Sequence, residues 1–308
     1  MQISNEDLRR LQLTELNIAG EITDLCDKHD IGYVLLGGSA LGARRHEGFI
    51  PWDDDMDMGM LRKDFDRFVE IARKELPDSL YLQYWLDDPH MGAPFAKVRL
   101  NNTRVLEATS KDTGGHKGIS VDIFPFDNVP DGFAEYPWKL QLKFWKRVVR
   151  RKGGYADRKL PTLHYLADLP VRVVARLISK ASAKRKLHRL MTRYNESPAD
   201  RVLAVGGAYD FRKDMLKRSW LSSRAPRRFE DRVLACPADL EAYLTHMYGD
   251  FMSLPPVEER HNKHTIVDLQ FDVPDIHEQP RAWGRGLGGE LLRVGTGRWS
   301  MLPELKNV

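Results

Sequence analysis

Apolar residues fall at helical spacing at Leu8, Leu11, Ile18, Ile22 and Leu25, with polar positions between them, which predicts an amphipathic helix over residues 4–30. Ser4 is placed to cap its start and Gly32 to end it. The apolar run YVLLGG (33–38) predicts a buried strand, closed by a Gly-Gly-Ser turn that opens a helix in SALGARR. IPWDDDMDMGM alternates apolar and acidic residues near its end, as a strand does, and RKDFDRFVEIARKEL (62–76) returns to helical spacing. LYLQYW, FAKVRL and GISVDIF predict further strands. The fold class expected from this order is α+β, with a mixed β-sheet and flanking helices over residues 1–132.

From about residue 133 the pattern changes to long basic helical stretches, broken by Gly153, Gly154, Pro161 and Pro170. Pro237 suits the first turn of a helix over 237–249, and Gly249 is placed to end it. The last thirty or so residues carry no strong periodicity and predict a loosely held tail. Three regions are therefore expected: 1–132, a helical basic region at 133–236, and 237–308, whose later part returns toward the first.

At 308 residues the chain can bury a sizeable core, and its composition is that of a globular protein. Two distant cysteines, Cys26 and Cys236, read as reduced core thiols. The first residues show neither a secretory signal nor an apolar anchor, so a cytoplasmic location is the expectation. Net charge is only +4, but 139–152 and 172–193 contain no acidic residue. Such helices either present a solvated face or lie on an anionic surface, with peripheral contact at the inner membrane face as one form of the latter. Aromatic residues are not interleaved as in nucleic-acid modules, so no nucleic acid partner is expected.

The candidate chemistry lies in PWDDDMDMGM (51–60). On a strand, Asp53, Asp55 and Asp57 would share one face while Asp54 points the other way. Neighbours on that face, roughly 7 Å apart, would repel by about 2 kcal/mol at an effective dielectric near 20. A bound cation removes that repulsion, and oxygen-only ligands favour a hard ion, Mg²⁺ or in its place Mn²⁺. The competing reading is a solvated acidic turn. Against it stand the turn at Gly37, Gly38 and Ser39, which offers backbone N–H groups to a phosphate, and Asp122, a lone charge in an apolar strand. A glycine turn, Asp-x-Asp on the next strand and a further Asp on a later one is the organisation of the nucleotidyltransferase fold, which this chain resembles.

The run LLGGSALGARRHEGFIPWDDDMDMGMLRKDFDRF (35–68) resembles the signature of the LicD family of phosphotransferases, whose animal relatives include fukutin and the fukutin-related protein. AKVRLNNT with GISVDIFPFD (96–127) and YLTHMYGDFMSLPPVEERHNKH (243–264) are similar to the family as well. The resemblance is weak over about 130–230 and after 270. It implies transfer of a phosphorylated alcohol from a CDP-linked donor, such as CDP-choline or CDP-ribitol, to a hydroxyl of a glycan or lipid-linked glycan, releasing CMP. Teichoic acid and lipooligosaccharide are acceptors of that kind. It further implies that Asp55 and Asp57 hold Mg²⁺ and that Asp122 shares the metal and accepts the acceptor's proton.

Other positions keep two readings. Gly37, Gly38 and Ser39 bind phosphate or form a plain tight turn. Arg45 and His46 contact the diphosphate or acceptor, or cap a helix at the surface. Lys97 and Arg99 neutralise phosphate or charge a sheet surface. Asp53 supports the loop or a second metal shell, and Trp52 packs beneath the loop or stacks on a base. His261 and His264 end a segment expected to return to the site. Two other functions remain open at this level: transfer of a nucleoside monophosphate from an NTP, and a catalytically silent module that binds a membrane or polymer.

Overall fold

A computed structural model describes residues 3–109, 113–152 and 168–273. Gly153, Gly154, Pro161 and the tail after residue 273 lie outside the described residues. Helix α1 (Asn5–Lys28) starts where expected, with the Ser4 hydroxyl accepting from the Asp7 backbone N–H at 3.0 Å. It ends earlier than Gly32, at His29, because Asp30 takes the left-handed conformation (φ +49°) that turns the chain. A very short strand, β1 (Val34–Leu35), is followed directly by α2 (Gly37–Arg45), so the glycine turn is the first turn of that helix.

Strand β2 (Asp57–Leu61) leads into α3 (Arg62–Glu75), then come β3 (Leu80–Tyr84), β4 (Ala96–Leu100), β5 (Arg104–Glu107) and β6 (Ser120–Asn128). The central sheet runs β1-β2-β6-β4-β3, with β2 and β6 parallel and the remaining pairs antiparallel. The expected mixed sheet with flanking helices is present: α1 and α3 both pack against it and bury Leu11, Ile18, Ile22, Phe65 and Phe68. Pro125 is tolerated in β6 because β4 pairs only as far as Ile123, so no ladder partner needs the missing N–H on that side.

Helices α4 (Glu135–Lys152), α5 (Leu169–Leu177) and α6 (Lys180–Met191) form the helical region. Trp138 of α4 is buried and donates its indole N–H to the Leu190 carbonyl at 2.7 Å. Several of the basic residues serve the interior here. Lys184 donates to the carbonyls of Trp85 and Asp88, Lys146 donates to the Gly207 carbonyl, and Arg151 pairs with Asp168. Strands then return, which helical spacing alone does not anticipate: β7 (Arg201–Leu203) and β8 (Met215–Lys217) extend the sheet from the end of β6. After α7 (Ser219–Ser222), β9 (Arg224–Phe229) and β10 (Arg232–Pro237) make a hairpin; Pro237 closes β10 instead of opening a helix, and α8 (Leu240–Tyr248), capped by Asp239, ends at Gly249 as expected, with φ +69°. Strand β11 (Ile266–Gln270) pairs with β5 as a small second sheet. Among the described residues no helix is long and apolar enough to cross a membrane.

One buried ion pair links these parts. Arg62 forks onto Asp127 through two hydrogen bonds of 2.8 Å, and Asn195 donates to the same carboxylate at 2.7 Å. The pair joins the start of α3 to the end of β6 and to the chain leaving α6. Removing one partner of a buried pair costs about 3–5 kcal/mol. Asp127→Asn should therefore lower the thermal unfolding midpoint by on the order of 10 °C. An unchanged midpoint would show that the pair is not a structural clamp.

Candidate active site

Strand register creates the centre of the site. Asp57 is the first residue of β2 and lies opposite Asp122 of β6, which in turn lies opposite Lys97 of β4. Lys97 Nζ reaches both carboxylate oxygens of Asp122, at 2.6 and 2.7 Å. Residues 53–56 are not part of a strand. The alternation expected for 53–57 is therefore lost, and Asp54 does not face away: it is buried and lines the same cavity as Asp55, Asp57 and Asp122. Ligand oxygens of Asp53, Asp54 and Asp55 lie within 4.8 Å of one another.

The acidic loop is held from three sides. Gln12 of α1, buried, donates to the carbonyls of Ile50 and Asp53 at 3.2 and 2.9 Å. The glycine turn packs on the other side, where a Cβ at Gly38 would come within 2.2 Å of an Asp53 oxygen, so a larger residue would displace that carboxylate. Gly37 (φ +50°) donates its N–H to the Tyr243 hydroxyl at 2.8 Å, and Ser39 Oγ accepts from the Asp57 N–H at 2.9 Å. From the third side comes the segment before β11. Lys263 Nζ is 3.2 Å from Asp53, while His264 offers both its backbone N–H and Nδ1 to Asp54 at 3.1 Å.

These contacts divide the carboxylates into two groups. Asp53, Asp54 and Asp122 each have a cation of the protein beside them. Asp57 has none within ion-pair reach among the described residues, and Asp55 has only the His264 ring at 4.0 Å. Burial, then the neighbouring aspartates, pushes Asp55 up to about 7 and Asp57 well above the carboxylate range. Glu15 of α1 joins them. It is buried, its Oε2 has no hydrogen-bond partner, and burial followed by repulsion from Asp55 raises it far above its ordinary value. His264, hydrogen-bonded to Asp54, is pushed up to about 9 and is thus a cation at neutral pH. For Lys263, the lowering effect of burial is outweighed by Asp53 and Asp55, which hold it above the usual lysine range. Oxygen donors with no cation of their own are what a hard divalent ion requires, so the residues present fit Mg²⁺.

The cavity has a volume of about 300 Å³ and continues from the carboxylates past Lys97 and Arg99 to Gln83, His116 and Lys117. Arg99 donates to Gln83 and to the Gly118 carbonyl, both at 2.6 Å. His116 stacks on Tyr81 with ring centroids 4.8 Å apart and, desolvated by burial, is lowered to about 3 and stays neutral.

Not every candidate residue comes to this cavity. Arg45 and His46 sit at the far end of α2, about 12 Å along its axis from the glycine turn. Arg45 donates to the Phe251 and Ser253 carbonyls, and His46 meets Trp52 edge-on at 6.3 Å. Trp52 packs between His46 and the Arg260 guanidinium, which lies 5.7 Å from its ring. His261 is exposed and bonds locally to the Glu258 carbonyl. Conversely, Glu15, Lys263 and Tyr243 belong to the site without having been singled out, and Asp54, expected to face away, joins them. Glu15 alone carried a legible signal, an acidic residue on the apolar stripe of α1.

The matching known proteins agree with this region. Residues 30–150 match the family model of the LicD/FKTN/FKRP nucleotidyltransferase domain. The lipopolysaccharide cholinephosphotransferase LicD of Haemophilus influenzae is 29% identical over 268 residues, covering 83% of this chain and 96% of that protein. Shorter matches are an uncharacterised protein of Rickettsia typhi, 32% identical over 22% of this chain and 24% of its own length, and one of Rickettsia prowazekii, 46% identical over 13% and 15%.

The raised carboxylates give a pH test with a definite sign. A folded-state value above the unfolded one contributes stability that is full below about pH 4 and is lost as pH rises through the folded value, about 7 for Asp55. His264, raised toward about 9, acts in the same direction at higher pH. In chelator the thermal midpoint should fall between about pH 5 and 8. Mg²⁺ should raise it by an increment that widens across that range and vanishes in Asp57→Asn. Identical melting curves with and without Mg²⁺ at the alkaline end would rule out a metal at these carboxylates.

Proposed function

Since the chain is a member of the LicD family, with that family's nucleotidyltransferase domain at residues 30–150, we propose that it transfers phosphocholine from CDP-choline to a hydroxyl of a lipopolysaccharide-type glycan, releasing CMP. The single observation that carries this reading is the division of the acidic cluster. Among the described residues Asp57 has no protein cation within ion-pair reach and Asp55 has only the His264 ring at 4.0 Å, whereas Asp53, Asp54 and Asp122 each have one in closer contact. Choline rather than an alditol follows the Haemophilus influenzae relative, a lipopolysaccharide cholinephosphotransferase.

In this reading Asp55 and Asp57 would hold Mg²⁺, with Glu15 lining the same cavity, and the ion would supply positive charge to a donor diphosphate and to CMP as leaving group. The chain's own groups do the rest. The N–H groups of Gly38 and Ser39, in the first turn of α2 next to Asp53, are the groups assigned to phosphate oxygens in this reading. Lys97 orients Asp122 through two hydrogen bonds, and Asp122 takes the proton of the acceptor hydroxyl as its oxygen bonds to the distal phosphorus and the bond from that phosphorus to CMP breaks. Lys97, Lys263 and protonated His264 keep the anionic donor among cations once it enters.

A lipid-carried acceptor fits a second feature. Phe133, Tyr136 and Leu140 beside and along α4, and Leu169, Val173 and Leu177 along one face of α5, are exposed apolar side chains. Arg172 and Arg176 lie in the same helix as the second set. An apolar stripe with basic neighbours supports peripheral contact with an anionic leaflet from the cytoplasmic side.

Two measurements test these proposals. Incubation with CDP-choline and Mg²⁺ should release CMP, and Asp57→Asn should slow it at least about a hundredfold, the scale of losing a preorganised electrostatic group. Pyrophosphate release from an NTP, with no CMP from any CDP-linked alcohol, would instead mark a nucleotidyltransferase. In flotation, the protein should rise with vesicles containing anionic lipid at low salt. Val173→Glu, which sets a negative charge in the exposed stripe of α5, should stay in the soluble fraction with an unchanged melting curve. Absence of wild-type flotation would remove the membrane proposal.

A further inference from the structure

A second, smaller cavity of about 80 Å³ opens beside the carboxylates, and Asp57, Phe124 and Ala208 line both. Its wall is apolar and aromatic: Leu36, Phe126, Leu216, Tyr243 and Met247, with Tyr209 also bordering it. Strand β6 builds the passage between the two. Asp122, Phe124 and Phe126 occupy alternate positions and so share one face, which runs from the acidic cavity into the aromatic one. One charged residue other than Asp57 lines this smaller space, Asp214. Asp214 is buried, its Oδ2 has no hydrogen-bond partner, and no cation among the described residues lies within ion-pair reach of it. Lys146, which donates to the Gly207 carbonyl, attracts it from farther off, and the Tyr209 backbone N–H donates to its carboxylate.

We infer that this cavity is the specificity pocket for the alcohol end of the donor and that it selects a quaternary ammonium head group, with Asp214 as its counter-charge and the rings of Phe124, Phe126, Tyr209 and Tyr243 as its walls. The inference rests on the reading above for the location of the phosphate at Asp57. A buried carboxylate with one oxygen unsatisfied and no cation in contact is costly unless a charge joins it. Burial accordingly pushes Asp214 up to about 6, still ionised at neutral pH. A quaternary ammonium has no N–H to satisfy and is attracted by aromatic faces, so an apolar aromatic wall with one carboxylate suits it. A polyol would leave its hydroxyls unpaired against Leu36, Leu216 and Met247. The space also matches: at about 10–15 Å³ per water-sized centre, the cavity holds roughly six such centres, about the size of a trimethylammonium group on its first methylene. Tyr209 already binds a cation on one face, where Lys213 Nζ lies 3.9 Å from the ring centroid.

Titration calorimetry of the whole protein in Mg²⁺, with phosphocholine and with glycerol 3-phosphate, tests the pocket, because the two ligands share a phosphate and differ in the alcohol. Wild type should prefer phosphocholine. Asp214→Asn should weaken phosphocholine about tenfold or more while leaving glycerol 3-phosphate unchanged, as expected for loss of a charge-assisted contact. Tyr209→Leu, at the exposed edge of the cavity, should weaken phosphocholine a few-fold and carries the test if Asp214→Asn does not fold. Equal weakening of both ligands, no effect of either variant on phosphocholine, or no preference in wild type would each overturn the pocket. The two readings fail separately. CMP release from CDP-choline with the same KM in Asp214→Asn would sink the pocket and leave the transferase. Selective phosphocholine binding without CMP release from any donor would sink the transferase and leave the pocket.

Discussion

Negative charge gathered where water is scarce is the constraint around which the molecule is arranged. Parallel pairing of β2 with β6 sets Asp57 beside Asp122, the loop before β2 brings Asp53, Asp54 and Asp55 within 4.8 Å of one another, and α1 adds Glu15. At that separation each ionised pair repels by at least about 3 kcal/mol for an effective dielectric near 20. Several such pairs would rival the whole stability of a domain. The fold answers with cations drawn from distant sequence: Lys97 from β4, and Lys263 and His264 from the segment ahead of β11. The small β5–β11 sheet thereby acquires a purpose, since it fixes the chain that delivers two of those charges.

What stays unmatched is as informative as what is matched. A cluster in which every carboxylate had its own lysine would be a structural network. Here the close compensation stops short of Asp57 and Glu15 and reaches Asp55 only through His264 at 4.0 Å, and burial pushes all three toward the protonated form. The protein thus leaves negative charge undercompensated beside the glycine turn, where a Cβ at Gly38 would meet Asp53, and on the proposed function a metal and an anionic phosphate would complete the site together rather than compete for it.

Much of this was legible in the sequence because it depends on short-range pattern. Hydrophobic period gave α1, α3 and the order of the central strands, and the spacing of Gly37, Gly38, Asp55, Asp57 and Asp122 pointed to one site. The failures have a common cause, which is that tertiary contacts decide them. Strand alternation was extended back to Asp53, but the loop is pinned by Gln12, Gly38 and Lys263, so Asp54 turns inward. Arg45 and His46 are close to the glycine turn in sequence, yet a nine-residue helix carries them away from it. Lys263 and Tyr243 lie about two hundred residues beyond the turn they contact, and no local pattern marks them. The strands at 201–237 are short, and β9 alternates too weakly between buried and exposed positions to stand out from its basic surroundings.

Strand β6 shows how one local rule serves both halves of the site. Its inward face reads Asp122, Phe124, Phe126, so the same period of two that places a carboxylate opposite Asp57 places aromatic rings at the next two positions. Gly59 permits this. It lies opposite Phe124, and a Cβ there would come within 2.9 Å of the Phe126 ring and 2.8 Å of Leu36. A larger residue would therefore push the aromatic wall outward while leaving the acidic end of the strand in register. Gly59, two residues after Asp57, thus governs how close the aromatic wall stands to the carboxylates, which on the proposed function is the spacing between the phosphate and the alcohol of the donor.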